Sequence, residues 1–133
     1  MKHFRRSLAF SFILILLTCN TAWAQMIMPI ADTEFDVTTV FLKASKEVTF
    51  RATTYDEKTA LAITTCTLER KNDDGTWSTV RSLPAPGTVA RNDFSFLVTV
   101  DYSSYIGSGT YRIKAIFSAD GHTVTVRSNE RAF

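Results

Sequence analysis

From Glu47 onward the chain alternates apolar and polar side chains one by one, with Val48, Phe50 and Ala52 set against Glu47, Thr49, Arg51 and Thr53. Successive side chains of an extended strand point to opposite faces, so this period of two predicts a strand with one dry face and one wet face. The pattern returns at Phe94, Phe96, Val98 and Val100, all expected inside, and at Tyr111, Ile113, Ala115 and Phe117 against Arg112, Lys114 and Ser118. Seven such stretches, rich in Thr, Val, Phe and Tyr, are predicted as strands over residues 35–42, 47–55, 62–71, 76–83, 94–100, 110–118 and 123–131. Antiparallel sheets solvated on one side carry this signature.

The punctuation between these stretches supports the same reading. Asn72-Asp73-Asp74-Gly75 and Asp120-Gly121 each separate two strand-like runs. Both predict hairpins, because Gly and Asp tolerate the positive φ of tight turns. Pro84 and Pro86 lack the N–H that a ladder needs, so residues 83–87 are expected to cross to another sheet. A helical turn is expected over residues 56–61, in the loop before the third strand. Short strands separated by turns at this spacing, with no long helix, repeat or low-complexity tract, predict an all-β antiparallel sandwich of seven strands.

The run Gly107-Ser108-Gly109-Thr110-Tyr111-Arg112-Ile113 resembles the entry to the sixth strand of immunoglobulin-like domains. In that family a tyrosine two residues before a buried core position bonds back to the backbone at the corner. The resemblance implies that role for Tyr111 and the usual cysteine position for Ile113. With isoleucine there, the likeness is to the bacterial relatives that lack the disulfide. Leu68-Glu69-Arg70-Lys71, Gly75-Thr76-Trp77 and the run from Gly109 to Ile113 are also similar to small exported proteins of Gram-positive bacteria with no assigned activity. That likeness spans about two thirds of the chain after residue 24. It implies a fold and a habitat, and it transfers no catalytic residue.

Ahead of this domain lies a different kind of sequence. Lys2, His3, Arg5 and Arg6 precede an apolar run over residues 8–17, and Ala22-Trp23-Ala24 closes the segment. A basic start, an apolar middle and a small-x-small end predict a helical signal peptide over residues 1–24, cleaved after Ala24. Its apolar core holds ten residues, whereas a bilayer-spanning helix takes roughly 20. No transmembrane helix is therefore expected in the mature chain. Cys19 raises lipidation as a rival, but Leu16-Leu17-Thr18 lacks the small residue usually found before a lipid-bearing cysteine. Residues 25–34 read as a short leader and residues 35–133 as one domain, secreted or held at the cell envelope.

The segmentation changes the meaning of the charge. The chain carries 15 basic and 13 acidic residues, of which Lys2, Arg5 and Arg6 lie before Gln25, leaving 12 against 13 and a net charge of −1. No nucleic-acid partner is expected, since such binding needs a basic patch or stripe. With Cys19 removed, Cys66 is the last thiol and is read as a small buried apolar group.

Candidate chemistry is sparse. Only His122 remains after residue 24, so neither a Cys/His nucleophile pair nor a multi-histidine metal site is expected. Asp32, Glu34 and Asp36 alternate before the first strand and read as solvated edge charge rather than a cation site. Asn72-Asp73-Asp74-Gly75 lacks the ligand spacing of an EF-hand loop. No catalytic residue, metal or cofactor is predicted, and the chain is read as a non-enzyme. Exposed aromatics are the remaining candidates for a binding surface: Trp77, and the pair Tyr102 and Tyr105, expected to be exposed. The expected function is surface binding of a protein or a cell-wall or glycan component. A carbohydrate-binding module and an assembly protein joined through an edge strand are the alternatives.

Overall fold

A computed structural model describes residues 32–133, and the expectations for the signal peptide, Cys19 and the leader up to Ala31 lie outside the described residues. The described part is all-β, an antiparallel sheet of seven strands without a helix. The strands are β1 (Phe35–Leu42), β2 (Glu47–Lys71), β3 (Trp77–Leu83), β4 (Gly87–Asp101), β5 (Thr110–Ala119), β6 (His122–Arg127) and β7 (Arg131–Ala132).

The organising element is β2, which changes partners along its 25 residues. Its first part lies between β1 and the end of β4, with Phe50 opposite Val40 on one side and Val98 on the other. Its last part lies between β3 and β5, with Leu68 opposite Arg81 and Ile113. The bend between the two falls at residues 54–57, which face no β4 partner while the register jumps from Thr53↔Ser95 to Lys58↔Asp93. On β4 the same bend is taken by Asn92, with φ of 50°. A side-chain amide tolerates that left-handed conformation better than most groups do.

The bend corrects the helical turn expected over residues 56–61, because that stretch is extended. Its backbone is already engaged: Ala60 and Leu61 pair with Arg91 and Ala90, and the Asp120 carboxylate accepts the N–H groups of Thr59 and Ala60 at 3.1 and 2.8 Å. The expected second and third strands are therefore one. Residues 83–87 do not cross to another sheet either. Leu83 opposes Cys66 and Gly87 opposes Ile63, so the chain stays on the same edge of β2 and the prolines only interrupt the ladder.

Two further differences have local causes. Phe94, expected inside, is 50% exposed, because the bend carries it past the end of the covered face. The last expected strand divides into β6 and β7 around Ser128–Glu130, where the Asn129 side chain binds both the N–H and the carbonyl of Leu42, at 2.9 and 3.1 Å. The two hairpin turns are as expected. Asp120 and Gly121 both take positive φ (47° and 90°), and Gly75 does so at 85° beside the Asn72 N–H to Thr76 carbonyl bond of 2.7 Å.

The core forms where the two parts of β2 turn their apolar sides to one interior. Val48, Phe50 and Ala52 from the first part and Leu61, Ile63, Cys66 and Leu68 from the second are buried, together with Ile113, Ala115 and Phe117 of β5. Phe117 is the hub. Its ring lies 5.5 Å from Phe96, 6.3 Å from Phe50 and 6.4 Å from Phe35, all tilted or edge-on, the arrangement that aromatic quadrupoles favour.

The start of β1 is fixed electrostatically. The Asp32 carboxylate accepts the N–H groups of Glu34 and Phe35 at 2.8 and 2.9 Å, and both its oxygens lie 3.1 Å from His122 Nε2. The Phe35 N–H bond contributes most to lowering its pKa to about 2, aided by the bonds from Glu34 and His122. A carboxylate held below its unfolded value stabilises the fold above roughly pH 4, and that contribution is lost as pH falls toward 2. Asp32→Asn is expected to remove on the order of 1 kcal/mol of this acid-sensitive stability, read from urea midpoints measured between pH 5 and pH 2. Identical pH profiles for the two proteins would refute the assignment.

Candidate functional site

The exposed surface of the sheet has two unlike faces. One belongs to β3, the later part of β2, β5 and β6, and it is charged. Glu69, 8% exposed, accepts Arg112 Nε at 2.5 Å and stands 3.8 Å from Arg127 Nε, while Lys71 pairs with Glu130 at 3.2 Å. The Arg112 guanidinium lies 4.1 Å from the centre of the Trp77 ring, with the Lys71 ammonium at 5.8 Å. Trp77 is half-buried, and its π-face already serves a cation. Beside it, at the β2–β3 turn, an open hollow of about 300 Å³ is lined by Arg70, Lys71, Asn72 and Asp73.

The other face belongs to β1, the first part of β2 and the last part of β4. Alternation and register place three rows there: Phe41, Thr49 and Thr99; Thr39, Arg51 and Leu97; Val37, Thr53 and Ser95. Eight of these nine residues are uncharged, and Leu97 is 72% exposed, Phe41 45% and Val37 37%. Tyr55, 52% exposed, continues the same face beyond Thr53. The Thr49 and Thr99 hydroxyls join at 2.9 Å across the two strands. Arg51 is the one charge within these three rows, the next row carries Lys43, Glu47 and Asp101, and among the described residues no carboxylate forms an ion pair with Arg51.

The aromatics expected at the surface do not assemble into a patch. Tyr102 is 1% exposed, which corrects its expected exposure: its hydroxyl donates to the Pro84 carbonyl at 2.6 Å and its ring packs edge-on against Tyr105, 6.1 Å away. Tyr105 is half-buried against the core. Trp77 belongs to the charged face, near the β2–β3 turn, and is not joined to either tyrosine.

The groups weighed for chemistry are engaged elsewhere. Cys66 is buried, and desolvation raises its thiol to about 11, against a smaller opposing effect of a hydrogen bond with Tyr102. His122 is committed to Asp32, and Glu34 pairs with Lys58. Among the described residues no group of three or more His, Cys, Asp or Glu is placed to hold a metal ion.

Phe41 and Leu97 were missed by sequence reasoning, although a signal was present. Each is the middle member of an unbroken apolar triplet, Val40-Phe41-Leu42 and Phe96-Leu97-Val98. In a strand of period two, a triplet whose ends are buried must turn its centre to solvent.

Comparison of the chain with protein-family models, with curated proteins and with solved structures gives no match in any of the three.

Proposed function

We propose that this chain is exported and that its mature part is a two-layer immunoglobulin-like sandwich acting without catalysis. It binds a protein or cell-envelope component through the outer face of β1, the first part of β2 and the last part of β4. The layered reading is supported by the change of partners along β2 and by Phe35, Phe50 and Phe96 of one part meeting Phe117 of the other. It is also supported by the Tyr111 hydroxyl, which donates to the Ser108 carbonyl at 2.9 Å, with Ile113 fully buried two residues on. Gly109, with φ of 133°, fits that corner because a Cβ there would lie 2.9 Å from Arg70 Nε.

The binding reading is carried by the nearly uncharged three-by-three grid. Leu97 on β4 and Phe41 and Val37 on β1 stand exposed to either side of β2, apolar area that an interface would cover. The absence of catalysis is favoured by the buried, poorly ionised Cys66 and by the engagement of His122 with Asp32. Glycan stacking on Trp77 is disfavoured because Arg112 already covers its ring.

Leu97→Asp is expected to leave the thermal midpoint within a few degrees, since the side chain is exposed, and to weaken binding to cell-surface material at least tenfold, by about 1.4 kcal/mol or more. Lys114→Glu on the charged face is the control and retains binding. Loss in the control with full retention in Leu97→Asp would overturn the assignment of the face.

A further inference from the structure

We infer that the occupant of the β1–β2–β4 face is a second copy of this chain, in a symmetric face-to-face dimer. This rests on the reading of that face as an interface, and it follows from the way charge is arranged along β2.

On the outward side of β2, Arg51 and Glu47 lie four residues apart, with Thr49 midway. Glu47 is opposite Asp101 on β4, so the end of the face near the β1–β2 connection carries two carboxylates. Both acids retain accepting capacity: Glu47 Oε2 takes one bond from Ser45, and Asp101 Oδ1 takes one from the Ser103 N–H. The basic Arg51 row and the acidic Glu47 row are thus equidistant from the Thr49 row, about 7 Å to either side by strand rise.

A two-fold axis lying between two such faces, across the strands at Thr49, reverses the strand direction and exchanges the rows. Arg51 of each copy then meets Glu47 of the other, giving two symmetry-related ion pairs, while Asp101, one strand over on β4, comes opposite Leu97 of the other copy. The middle row meets itself: Phe41 packs on Phe41 and the Thr49–Thr99 pair on its equivalent. Lys43, which follows Phe41 and Leu42 on the acidic row, comes opposite the uncharged Thr39, so no like charges are opposed. An axis at Arg51 would oppose two guanidinium groups. With the axis at Thr49 the charges of β2 therefore complement those of a second copy, as an isologous contact requires.

The test is sedimentation of the exported chain over micromolar to millimolar concentration, with charge-reversed variants at exposed positions and thermal melts to confirm folding. The wild type is expected to form dimers reversibly. Arg51→Glu alone, and Glu47→Arg combined with Asp101→Arg, are each expected to associate at least about 30-fold more weakly, because each opposes like charges. Mixed together, the two variants regain opposite charges at both contacts, and a one-to-one heterodimer is expected at near wild-type strength. Self-association of Arg51→Glu as strong as wild type, or a mixture no more associated than its components, overturns the proposal. A wild type that stays monomeric at about 1 mM overturns it as well. If Leu97→Asp has nonetheless lost binding to cell-surface material, the second copy is refuted while the face survives as an interface for another partner.

Discussion

Phe117→Ala is expected to destabilise the protein by about 3–5 kcal/mol, much of the roughly 5–15 kcal/mol that holds a typical domain folded. The ring is fully buried and touches aromatic side chains from β1, β2 and β4. Removing it takes away the transfer free energy of the side chain and leaves a cavity that three rigid rings cannot collapse into. Phe117→Leu refills most of the space and should cost far less, on the order of 1 kcal/mol. Urea midpoints for the two variants give the comparison. An alanine variant within about 1 kcal/mol of wild type would mean that this ring does not join the two parts of β2.

Tyr102→Ala is expected to cost a similar amount, about 3–5 kcal/mol, and to have a second readout in Cys66. Tyr102 is 1% exposed, ties the residues after β4 to the Pro84 carbonyl, and lies close enough to the Cys66 thiol to influence its ionisation. In the wild type that thiol is doubly protected, because it is buried and because its pKa is raised to about 11 by desolvation. The thiolate is the reactive form, so native-state alkylation at neutral pH should be very slow. Opening the cavity admits water to the thiol and should raise its alkylation rate at least about tenfold below the melting range. Tyr102→Phe keeps the ring and loses only the hydroxyl's bond to Pro84, for a smaller cost of about 1–2 kcal/mol. Equal alkylation rates in wild type and Tyr102→Ala would show that the tyrosine does not shield the thiol.

Where alternation was clean, the sequence was enough. The β1 span, the interior side of β5 and the two hairpin turns follow directly from residue order. The continuity of β2 was not legible, because residues 55–59 are polar or exposed on both sides at the bend and carry no alternating signal. Tyr102 was misplaced for a related reason. It lies just beyond the last alternating residue of β4, and its burial comes from Pro84 and Cys66, 18 and 36 positions earlier. Phe94 has the right phase for the interior and is exposed because the strand bends there, a tertiary event that local periodicity does not encode. The candidate face was hidden by the apolar triplets: Phe41 and Leu97 look like core until the strands are aligned and their neighbours' phase is fixed.

Hydroxyl-radical footprinting of the protein, dilute and then concentrated or bound at a cell surface, reads both faces at once. Oxidation of Phe41 and Leu97 should fall on association while that of Trp77 and of Val80, an exposed residue of β3, stays unchanged. Protection confined to Trp77 and Val80, with Phe41 and Leu97 as reactive as in the dilute protein, would contradict the placement of the interface on β1, β2 and β4.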